Sequence, residues 1–259
     1  MYGLFEKDVM SLPELRENEV IDDLILTGLK IIQKTDNFRF SIDAVLLAHF
    51  VTLRNGDKII DLGTGTGVIP LILTTRQTGL AITGVEIQKE MADMAARSVK
   101  LNNLENITVM NEDLRRLDPT FFTNHDLVVA NPPYFPINQG KVNPVKEIAL
   151  ARHEITCTIK DLIATAQKLL KDKGRFSLVH RAERLGEIIV ILVQAGLEPK
   201  RIRFVHTYDN KPANLVLIEA MKNAKSGVII QEPLIVYTEK GSYSAEVFKY
   251  YFGGETCGK

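Results

Sequence analysis

The sequence predicts an α/β fold built on a doubly wound, mostly parallel sheet. A strand-like run at 58–62 leads into a glycine-rich turn and then a helical stretch. Similar apolar runs at 81–85, 107–110 and 127–130 alternate with helical patterns. Short, partly β-branched runs of this kind are typical of buried parallel strands, and their alternation with helices predicts a parallel sheet. Ligands bind such sheets at the carboxyl ends of the strands.

Length and composition indicate one globular domain. The 259 residues are 45% hydrophobic and 25% charged, which is enough chain to bury a sizeable core. The 32 basic and 32 acidic residues cancel, so any nucleic-acid footprint has to be local. Cys157 and Cys257 lie far apart without metal-ligand spacing, which favours free thiols and no metal site. Without a visible signal peptide or membrane span, we expect a cytoplasmic protein.

The first fifty residues predict a hairpin and a helix. Residues 20–32 alternate apolar and polar side chains loosely, as a short strand pair does. Asp43 is predicted to be the N-cap of a helix over 44–53. The alternative interpretation makes residues 38–43 a lid over a cofactor.

The glycine turn, Gly63-Thr64-Gly65-Thr66-Gly67, lets a ligand approach the backbone beside a helix N-terminus. A dinucleotide fingerprint needs a third glycine where Val68 stands, and a phosphate-binding P-loop needs a lysine that is missing here. Asp61, two residues before the turn, favours an ammonium group over a phosphate. This combination fits the amino-acid end of S-adenosylmethionine; the alternative is a purely structural turn.

Acidic residues end the next two predicted strands. Glu86 is placed to accept hydrogen bonds from both ribose hydroxyls of such a cofactor, and Asp113 from its adenine amine. The alternatives are a solvated charge at the end of a strand for Glu86 and a turn or cap residue for Asp113.

The fourth strand is stopped by Asn131-Pro132-Pro133-Tyr134, because proline donates no backbone hydrogen bond. The Asn131 side-chain oxygen and the Pro132 carbonyl would hold the two protons of a planar amine and direct its lone pair at an incoming methyl group. Tyr134 would stack on the ring that carries the amine. The alternative is an ordinary turn.

The second half completes the sheet and adds a tail. We predict helices at 159–170 and 182–196, a fifth strand at 175–180, antiparallel strands at 202–206 and 215–220, and an added hairpin of 228–230 with 234–237. The aromatic side chains of 243–252 are expected to be core residues rather than platforms for bases.

Four stretches carry a resemblance to a known family: Phe38–Leu47, Asp61–Gly67, Asn131–Phe135 and Ala151–Glu154. The sequence resembles the class I S-adenosylmethionine-dependent methyltransferases, and within them the Asn-Pro-Pro-Tyr enzymes that methylate amino or amide nitrogens. More narrowly, it is similar to the bacterial tRNA-Val (adenine-N(6))-methyltransferases, over about residues 20–250. No departure from the pattern is visible at the motif positions.

The resemblance implies a Rossmann-like fold, with a seven-stranded, mostly parallel sheet and a C-terminal antiparallel hairpin. It implies one methyltransferase domain over 1–259, divided into an N-terminal extension and cofactor lid (1–56), a catalytic core (57–222) and a C-terminal hairpin and tail (223–259). The implied reaction is methyl transfer to the exocyclic amine of adenine in tRNA, expected in the anticodon loop.

The resemblance also implies roles for individual residues. The catalytic residues would be Asn131, Pro132 and Tyr134. The cofactor would be held by Asp61, Gly63, Thr64, Gly65, Gly67, Glu86, Asp113 and Asn131. Apart from the resemblance, the polar loop after the Asn-Pro-Pro-Tyr motif predicts RNA contacts at Lys141, Lys146 and Arg152. A local basic surface would add Lys30, Lys34, Arg39, Lys200, Arg201 and Arg203, and the alternative is that these cations are solvated.

Other functions stay open at this point. A guanine-amine rRNA methyltransferase and a protein-glutamine methyltransferase use a similar motif, although the latter family has a helical domain that the 62 residues before the glycine turn leave little room for. A DNA adenine methyltransferase usually has an extra target-recognition domain, which is not visible here. A non-catalytic cofactor-binding or RNA-binding module would not need the Asn-Pro-Pro-Tyr motif.

Overall fold

The computed structural model describes residues 14–24, 28–35, 41–118, 122–133, 157–239 and 241–253. Its helices are α1 (Ile42–Phe50), α2 (Val68–Arg76), α3 (Lys89–Leu101), α4 (Ile159–Leu169), α5 (Leu185–Gln194) and α6 (Ala245–Phe252), with 3-10 turns at Leu114–Arg116 and Ala182–Arg184. Outside the main sheet are two hairpins, β1 (Glu19–Asp23) with β2 (Lys30–Lys34), and β12 (Tyr237–Glu239) with β13 (Ser242–Tyr243).

The main sheet contains β3 (Lys58–Leu62), β4 (Ala81–Glu86), β5 (Ile107–Asn111), β6 (His125–Ala130), β7 (Leu170–Arg181), β8 (Leu197–His206), β9 (Ala213–Lys222), β10 (Ile229–Ile230) and β11 (Leu234–Ile235). Seven of these strands lie in the order β8-β9-β7-β6-β3-β4-β5, and β9 alone runs antiparallel to its neighbours. This architecture confirms the predicted doubly wound sheet with an antiparallel end.

Two apolar cores lie on opposite faces of the sheet, because successive strand residues point to opposite sides. Ile59, Leu127 and Val129 face the core that α1, α2 and α6 cover. Ile60 and Val128 face the core that α4 and α5 cover. The strands are therefore apolar on both faces, as the sequence indicated.

The predicted N-terminal hairpin is confirmed as β1–β2, and it packs on α3. The Ile32 N–H donates to the Ser98 hydroxyl at 2.9 Å. Arg97 donates to both carboxylate oxygens of Glu19, at 2.6 and 2.7 Å. The hairpin is thus attached to the helix that follows the Glu86 strand.

The predicted N-cap at Asp43 is wrong. Ser41 occupies the N-cap, and Asp43 lies in the first turn of α1. A carboxylate in the first turn still interacts favourably with the helix dipole, which explains why the pattern resembled a cap.

The predicted hairpin of 228–230 with 234–237 is also wrong. β10 and β11 each pair in parallel with β8, with Ile229 opposite Arg201 and Leu234 opposite Val205. The short link between them contains Pro233, and the free edge of β8 offers partners to both segments. The hairpin at this end of the chain is β12–β13 instead.

Among the described residues, no helix combines the length and the apolar character that crossing a membrane requires.

Candidate active site

The ends of four neighbouring strands bring the predicted site residues into one row. Leu62 is paired with Ala130 on one side and with Val85 on the other, and Val85 is paired with Met110. The residues that follow these strand ends therefore lie side by side, about 4.8 Å apart from strand to strand. The glycine turn after β3 starts directly beside the Asn-Pro-Pro turn after β6.

The glycine turn needs its glycines for conformational reasons. Gly63, Gly65 and Gly67 have φ angles of 78°, 58° and 89°, which disfavour residues with a Cβ. The N–H groups of Gly63 and Thr64 both donate to the Val85 carbonyl, at 2.8 and 3.0 Å. These bonds hold the start of the turn against β4, and Gly67 then begins α2.

Asp61 is a fully buried carboxylate without a hydrogen-bond partner. Its side chain has 0% exposure, and neither oxygen meets a donor among the described residues. Burial, with a smaller contribution from the negative charge of Glu86, raises the pKa of Asp61 to about 7. The nearby Thr64 hydroxyl opposes this rise, although its geometry does not make a hydrogen bond. A buried carboxylate left in this state is ready for a cationic ligand.

Thr64 is also buried with an unpartnered hydroxyl, and Gly84 makes room for it. A Cβ at position 84 would lie 2.9 Å from both the Thr64 Cγ2 and the Thr64 Oγ1 atoms. Gly84 is the register neighbour of Asp61 on β4. The sequence argument missed Gly84, since only the fold shows that β4 passes directly under the turn.

Glu86 connects the second strand end to the glycine turn. One carboxylate oxygen accepts from the Gly65 N–H and the other from the Gln88 N–H, both at 2.9 Å. The side chain is only 6% exposed, so its orientation is fixed. Each oxygen keeps a lone pair with which it can accept a hydroxyl of a ligand.

Asp113 is placed at the third strand end and caps the turn that follows. It accepts from the Arg115 N–H at 3.0 Å and pairs with the Arg115 guanidinium at 2.5 Å. The hydrogen bond from Arg115 lowers the pKa of Asp113, while partial burial opposes this. An adenine amine at Asp113 would therefore share the carboxylate with Arg115.

A shallow cavity of about 350 Å³ lies at this strand end. It is lined by Ile87, Asn111, Glu112, Asp113, Arg115 and Arg116. Ile87 is 45% exposed, so its side chain presents an apolar surface to this cavity. Sequence reasoning missed Ile87, although an apolar residue directly after an acidic strand end could have indicated it.

The Asn131-Pro132-Pro133 turn lies at the fourth strand end, as predicted. Asn131 and Pro132 are half-buried and Pro133 is exposed. Within the part of the chain that the structure describes, the Asn131 side chain has no hydrogen-bond partner. Tyr134, Lys141, Lys146 and Arg152 lie outside the described residues, as does Arg39.

The start of α1 reaches the same edge of the sheet. Burial raises the pKa of Asp43, and the positive charge of Arg181, at the carboxyl end of β7, opposes the rise. The other end of α1 lies towards the opposite edge, where Arg175 donates to the Thr52 carbonyl at 2.6 Å. The first turn of α1 thus lies near the carboxyl end of β7.

The family model for the methyltransferase small domain matches residues 41–189, which is more than half of the chain. The chain belongs to the methyltransferase small-domain family. The match begins just before α1, includes the whole row of strand ends, and ends in α5. The class I methyltransferase prediction is confirmed, and with it S-adenosylmethionine as the cofactor of this enzyme class.

Two curated relatives of this chain carry the same enzyme name. A tRNA1(Val) (adenine(37)-N6)-methyltransferase of Parabacteroides distasonis is 33% identical over 178 residues, covering 68% of this chain and 74% of the relative. The protein of the same name from Tolumonas auensis is 30% identical over 207 residues, covering 79% and 84%. Both alignments extend over most of each relative.

Solved structures agree on the fold. A protein of Agrobacterium tumefaciens, described as a predicted O-methyltransferase, superposes with a TM-score of 0.66 at 24% identity, covering 82% of this chain and 96% of its own. At that identity the likeness concerns the fold alone.

The row of strand ends offers hydrogen-bond acceptors that fit S-adenosylmethionine. The unpartnered Asp61 carboxylate suits the cofactor's ammonium group, and Glu86 has lone pairs left for the ribose hydroxyls. The exposed Ile87 beside Asp113 offers an apolar surface for adenine. Within the described ranges, no cluster of His, Cys, Asp or Glu side chains is arranged to hold a metal ion.

The basic surface expected around this site is only partly available. Lys34 pairs with Glu90 at 2.6 Å and Arg203 with Glu246 at 2.6 Å. Arg201 bonds Glu219 at 3.2 Å, and Lys30 pairs with Asp23. These four cations form ion pairs within the protein, which lowers the net positive charge that they present, and their contact with RNA stays a prediction. Lys200 donates to the Lys225 carbonyl at 3.1 Å.

Proposed function

We propose that this protein transfers a methyl group from S-adenosylmethionine to the exocyclic N6 amine of an adenine in the anticodon loop of a tRNA. The observation that carries the proposal is the register of β3 and β6, which pairs Leu62 with Ala130. The cofactor-binding turn and the amine-binding turn therefore begin on adjacent strands. The names of the curated relatives supply the target: both are tRNA adenine methyltransferases.

The cofactor is held along the row of strand ends. Asp61 receives the ammonium group, and Gly63, Thr64, Gly65 and Gly67 shape the turn around it. Glu86 accepts the ribose hydroxyls, and Asp113 the adenine amine. These hydrogen bonds involve charged groups and are stronger than neutral ones.

The bound cofactor supplies a methyl group on a sulfonium centre, which is an excellent leaving group. Asn131 Oδ1 and the Pro132 carbonyl accept the two protons of the target amine and aim its lone pair. Both acceptors stabilise the positive charge that develops on the nitrogen, so no protein base is required before methyl transfer. Tyr134 stacks on the target base.

The test is methyl transfer from radiolabelled S-adenosylmethionine to unmodified total tRNA, followed by mass spectrometry of the nucleosides. We expect label in N6-methyladenosine, at a position in the anticodon loop that nuclease mapping identifies. The Asn131→Ala variant is the matched control, because it should lower methyl transfer to the tRNA by about 10²- to 10³-fold while the cofactor contacts of Asp61 and Glu86 remain.

Two results would overturn the proposed substrate. In parallel assays that supply ribosomal RNA or protein extract as the methyl acceptor, label in N2-methylguanosine of the ribosomal RNA would favour a guanine-amine methyltransferase. Label in protein, recovered as methylglutamine, would favour the protein-glutamine alternative. Cofactor binding without any transfer would leave a non-catalytic module.

The remaining assignments belong to the same proposal. A tRNA substrate implies a cytoplasmic protein. The whole chain acts as one domain, in which 57–222 is the catalytic core, 1–56 contributes a cofactor lid and 223–259 is a C-terminal addition.

A further inference from the structure

Four tyrosines form a continuous row of rings at one end of the sheet. The ring centroids of Tyr243 and Tyr251 are 5.2 Å apart with planes 6° apart, and those of Tyr237 and Tyr243 are 5.3 Å apart with planes 14° apart. Tyr208 continues the row at 5.8 Å from Tyr237, tilted by 38°. The row comes from three separate chain segments, so tertiary structure assembles it.

The row lies on the same edge of the sheet as the methyl-transfer site. Tyr208 follows β8, which runs parallel to β7 and β6, so their carboxyl ends share one edge. Two strands, β9 and β7, separate β8 from β6. The start of the Tyr208 turn is therefore displaced sideways from the Asn131 turn by three interstrand spacings, roughly 14 Å. It is also displaced along the strands, because Ile202 is level with Ala130 and β8 continues to His206. The two displacements together give a separation of roughly 20 Å. That distance corresponds to a few nucleotides of an extended RNA strand.

The row of tyrosines begins in an apolar core at Tyr251 and ends outside that core at Tyr208. Tyr251 is 6% exposed within the core under α1, against which Tyr237 and Tyr243 pack. Tyr208 is partly exposed and belongs to neither apolar core. A ring that is supported from one side and open to solvent has a surface left for another ring.

Backbone hydrogen bonds fix the turn that presents Tyr208. The Tyr237 N–H donates to the Thr207 carbonyl at 3.0 Å, and the Lys211 N–H donates to the Tyr208 carbonyl at 3.1 Å. A ring nitrogen of His206, Nδ1, lies 2.6 Å from the Lys211 carbonyl. The platform is thus ordered before any ligand arrives, which lowers the entropic cost of binding.

We infer that Tyr208 is a stacking platform for an unpaired base a few nucleotides from the target nucleotide, with Lys211 contacting the adjoining phosphate. This inference rests on the proposed function, because it extends the same RNA-binding site along the sheet edge. Aromatic faces accept any base, so the platform contributes affinity and register rather than sequence recognition.

The charge around Tyr208 suits an RNA strand. Lys211 is exposed and forms no ion pair with any residue in the described ranges. Arg181 and Arg184 stand at the neighbouring end of β7, with Arg184 held by Glu187 at 2.8 Å. The exposed Asp209 opposes them, so the attraction is local and modest. A stacked base with one phosphate contact requires no broad basic surface.

The test measures binding to tRNA anticodon stem-loops in which 2-aminopurine replaces, one at a time, the unpaired bases a few nucleotides from the target adenine. Stacking of the 2-aminopurine on Tyr208 should quench the fluorescence of the 2-aminopurine. Tyr208→Phe should keep the quench and the Kd, whereas Tyr208→Leu should lose the quench and bind about 5- to 100-fold more weakly. The cofactor Kd and the thermal midpoint should stay at their wild-type values. Lys211→Ala should lower the slope of log K against log salt concentration by about 1, which corresponds to one lost phosphate contact. Lys225→Ala, at the opposite end of the strands, should leave that slope unchanged.

The outcomes separate this inference from the proposed function. If the wild-type protein methylates the RNA but Tyr208→Leu binds it normally, the platform is wrong and the function stands. If Tyr208→Leu loses binding while the wild-type protein transfers no methyl group, the platform stands and the function is wrong. A lower thermal midpoint in Tyr208→Leu with an unchanged RNA Kd would make the row purely structural.

Discussion

Two buried carboxylates in one row of the sheet have opposite surroundings. The register runs from Asp61 through Val129 and Ser177 to Glu219, so Asp61 and Glu219 point to the same face. Asp61 is 0% exposed and Glu219 is 7% exposed. Glu219 accepts hydrogen bonds from Thr52, Ser177 and Arg201, at 3.0 to 3.2 Å. Asp61 accepts none from the residues that the structure describes.

The contrast separates a structural carboxylate from one kept for a ligand. Around Glu219 the fold supplies a backbone N–H, two hydroxyls and a guanidinium, so its charge is compensated within the protein. An unpaired buried charge destabilises a protein, and it persists where a ligand provides the missing partner. The Thr64 hydroxyl also has no partner among the described residues, and Asn131 follows the strand next to Asp61, so our proposal assigns both to the same ligand-binding group.

The largest expected effect comes from Asn131. Its oxygen meets an amine that gains positive charge only during transfer, so Asn131→Ala should lower kcat by about 10²- to 10³-fold. The Kd for RNA should change little, because the ground-state amine gains less from this contact. Single-turnover methylation and equilibrium RNA binding measure the two quantities. Near-normal turnover would remove Asn131 from the catalytic group.

The direct test of the comparison replaces each carboxylate with its amide. Asp61→Asn should weaken S-adenosylmethionine binding by about 10- to 100-fold, since a charge-assisted contact is lost. The thermal midpoint of the free protein should equal or exceed that of the wild type, because an unpaired charge has been removed.

Glu219→Gln is the matched control and should do the reverse. It leaves Arg201 without its carboxylate, so the thermal midpoint should fall while the cofactor Kd stays near the wild-type value. Calorimetry and thermal unfolding on both variants decide the matter. Equal loss of stability in the two variants would make Asp61 a structural residue as well.

A smaller effect is expected at Gly84, which lies under the turn. Gly84→Ala places a Cβ 2.9 Å from the Thr64 side chain, and we expect cofactor affinity to fall about tenfold through displacement of the turn. Combining it with Thr64→Gly removes the clash, so the double variant should bind better than additivity predicts. Additive losses would show that Gly84 acts independently of Thr64.

The smallest effect is a pH dependence. Because the pKa of Asp61 is about 7, ionisation at pH 6 is about one-tenth complete, and cofactor affinity should rise about fivefold between pH 6 and 7. Deprotonation of the cofactor's amino group should reverse the rise at higher pH. Calorimetry across pH 5.5–8.5 measures this, and Asp61→Asn should abolish the rise.

The same pKa predicts how stability of the free protein changes. In the unfolded chain Asp61 ionises near 3.8, whereas in the folded protein it does so near 7. The folded state therefore binds more protons between these values, and the contribution of Asp61 to stability falls as pH rises from about 4 to 7. Above pH 7 the contribution of Asp61 to stability no longer changes with pH. The free energy of unfolding of the wild type, measured relative to that of Asp61→Asn, should therefore fall between about pH 4 and pH 7.

The sequence predicted the strand ends of the site because each signal is local. A glycine turn after an apolar strand, acidic residues at the ends of the next two strands and a proline-stopped strand can each be recognised from neighbours in the chain. The parallel sheet then brings these ends together without further information. The same locality explains the correct prediction of the β1–β2 hairpin.

The sequence could not predict contacts between distant segments. The Glu86 bond to Gly65 and the packing of Thr64 on Gly84 depend on how β4 meets the turn. The pairing of Arg203 with Glu246 depends on where α6 lies, so a cation that looked available for phosphate is engaged. Residue type alone does not distinguish a compensated charge such as Glu219 from an uncompensated one such as Asp61.

The outer edge of β8 has a consequence for handling this protein. An open strand of that length would pair with strands of other molecules, and β10 and β11 cover it in two short pieces. With β10 in place, the outermost strand there is only two residues long, which limits pairing with other molecules. Its side chains, Ile229 and Ile230, are 69% and 56% exposed. Removing the chain from residue 224 onward would expose β8 along its length, so a shortened protein should self-associate and precipitate even if its catalytic core still folds.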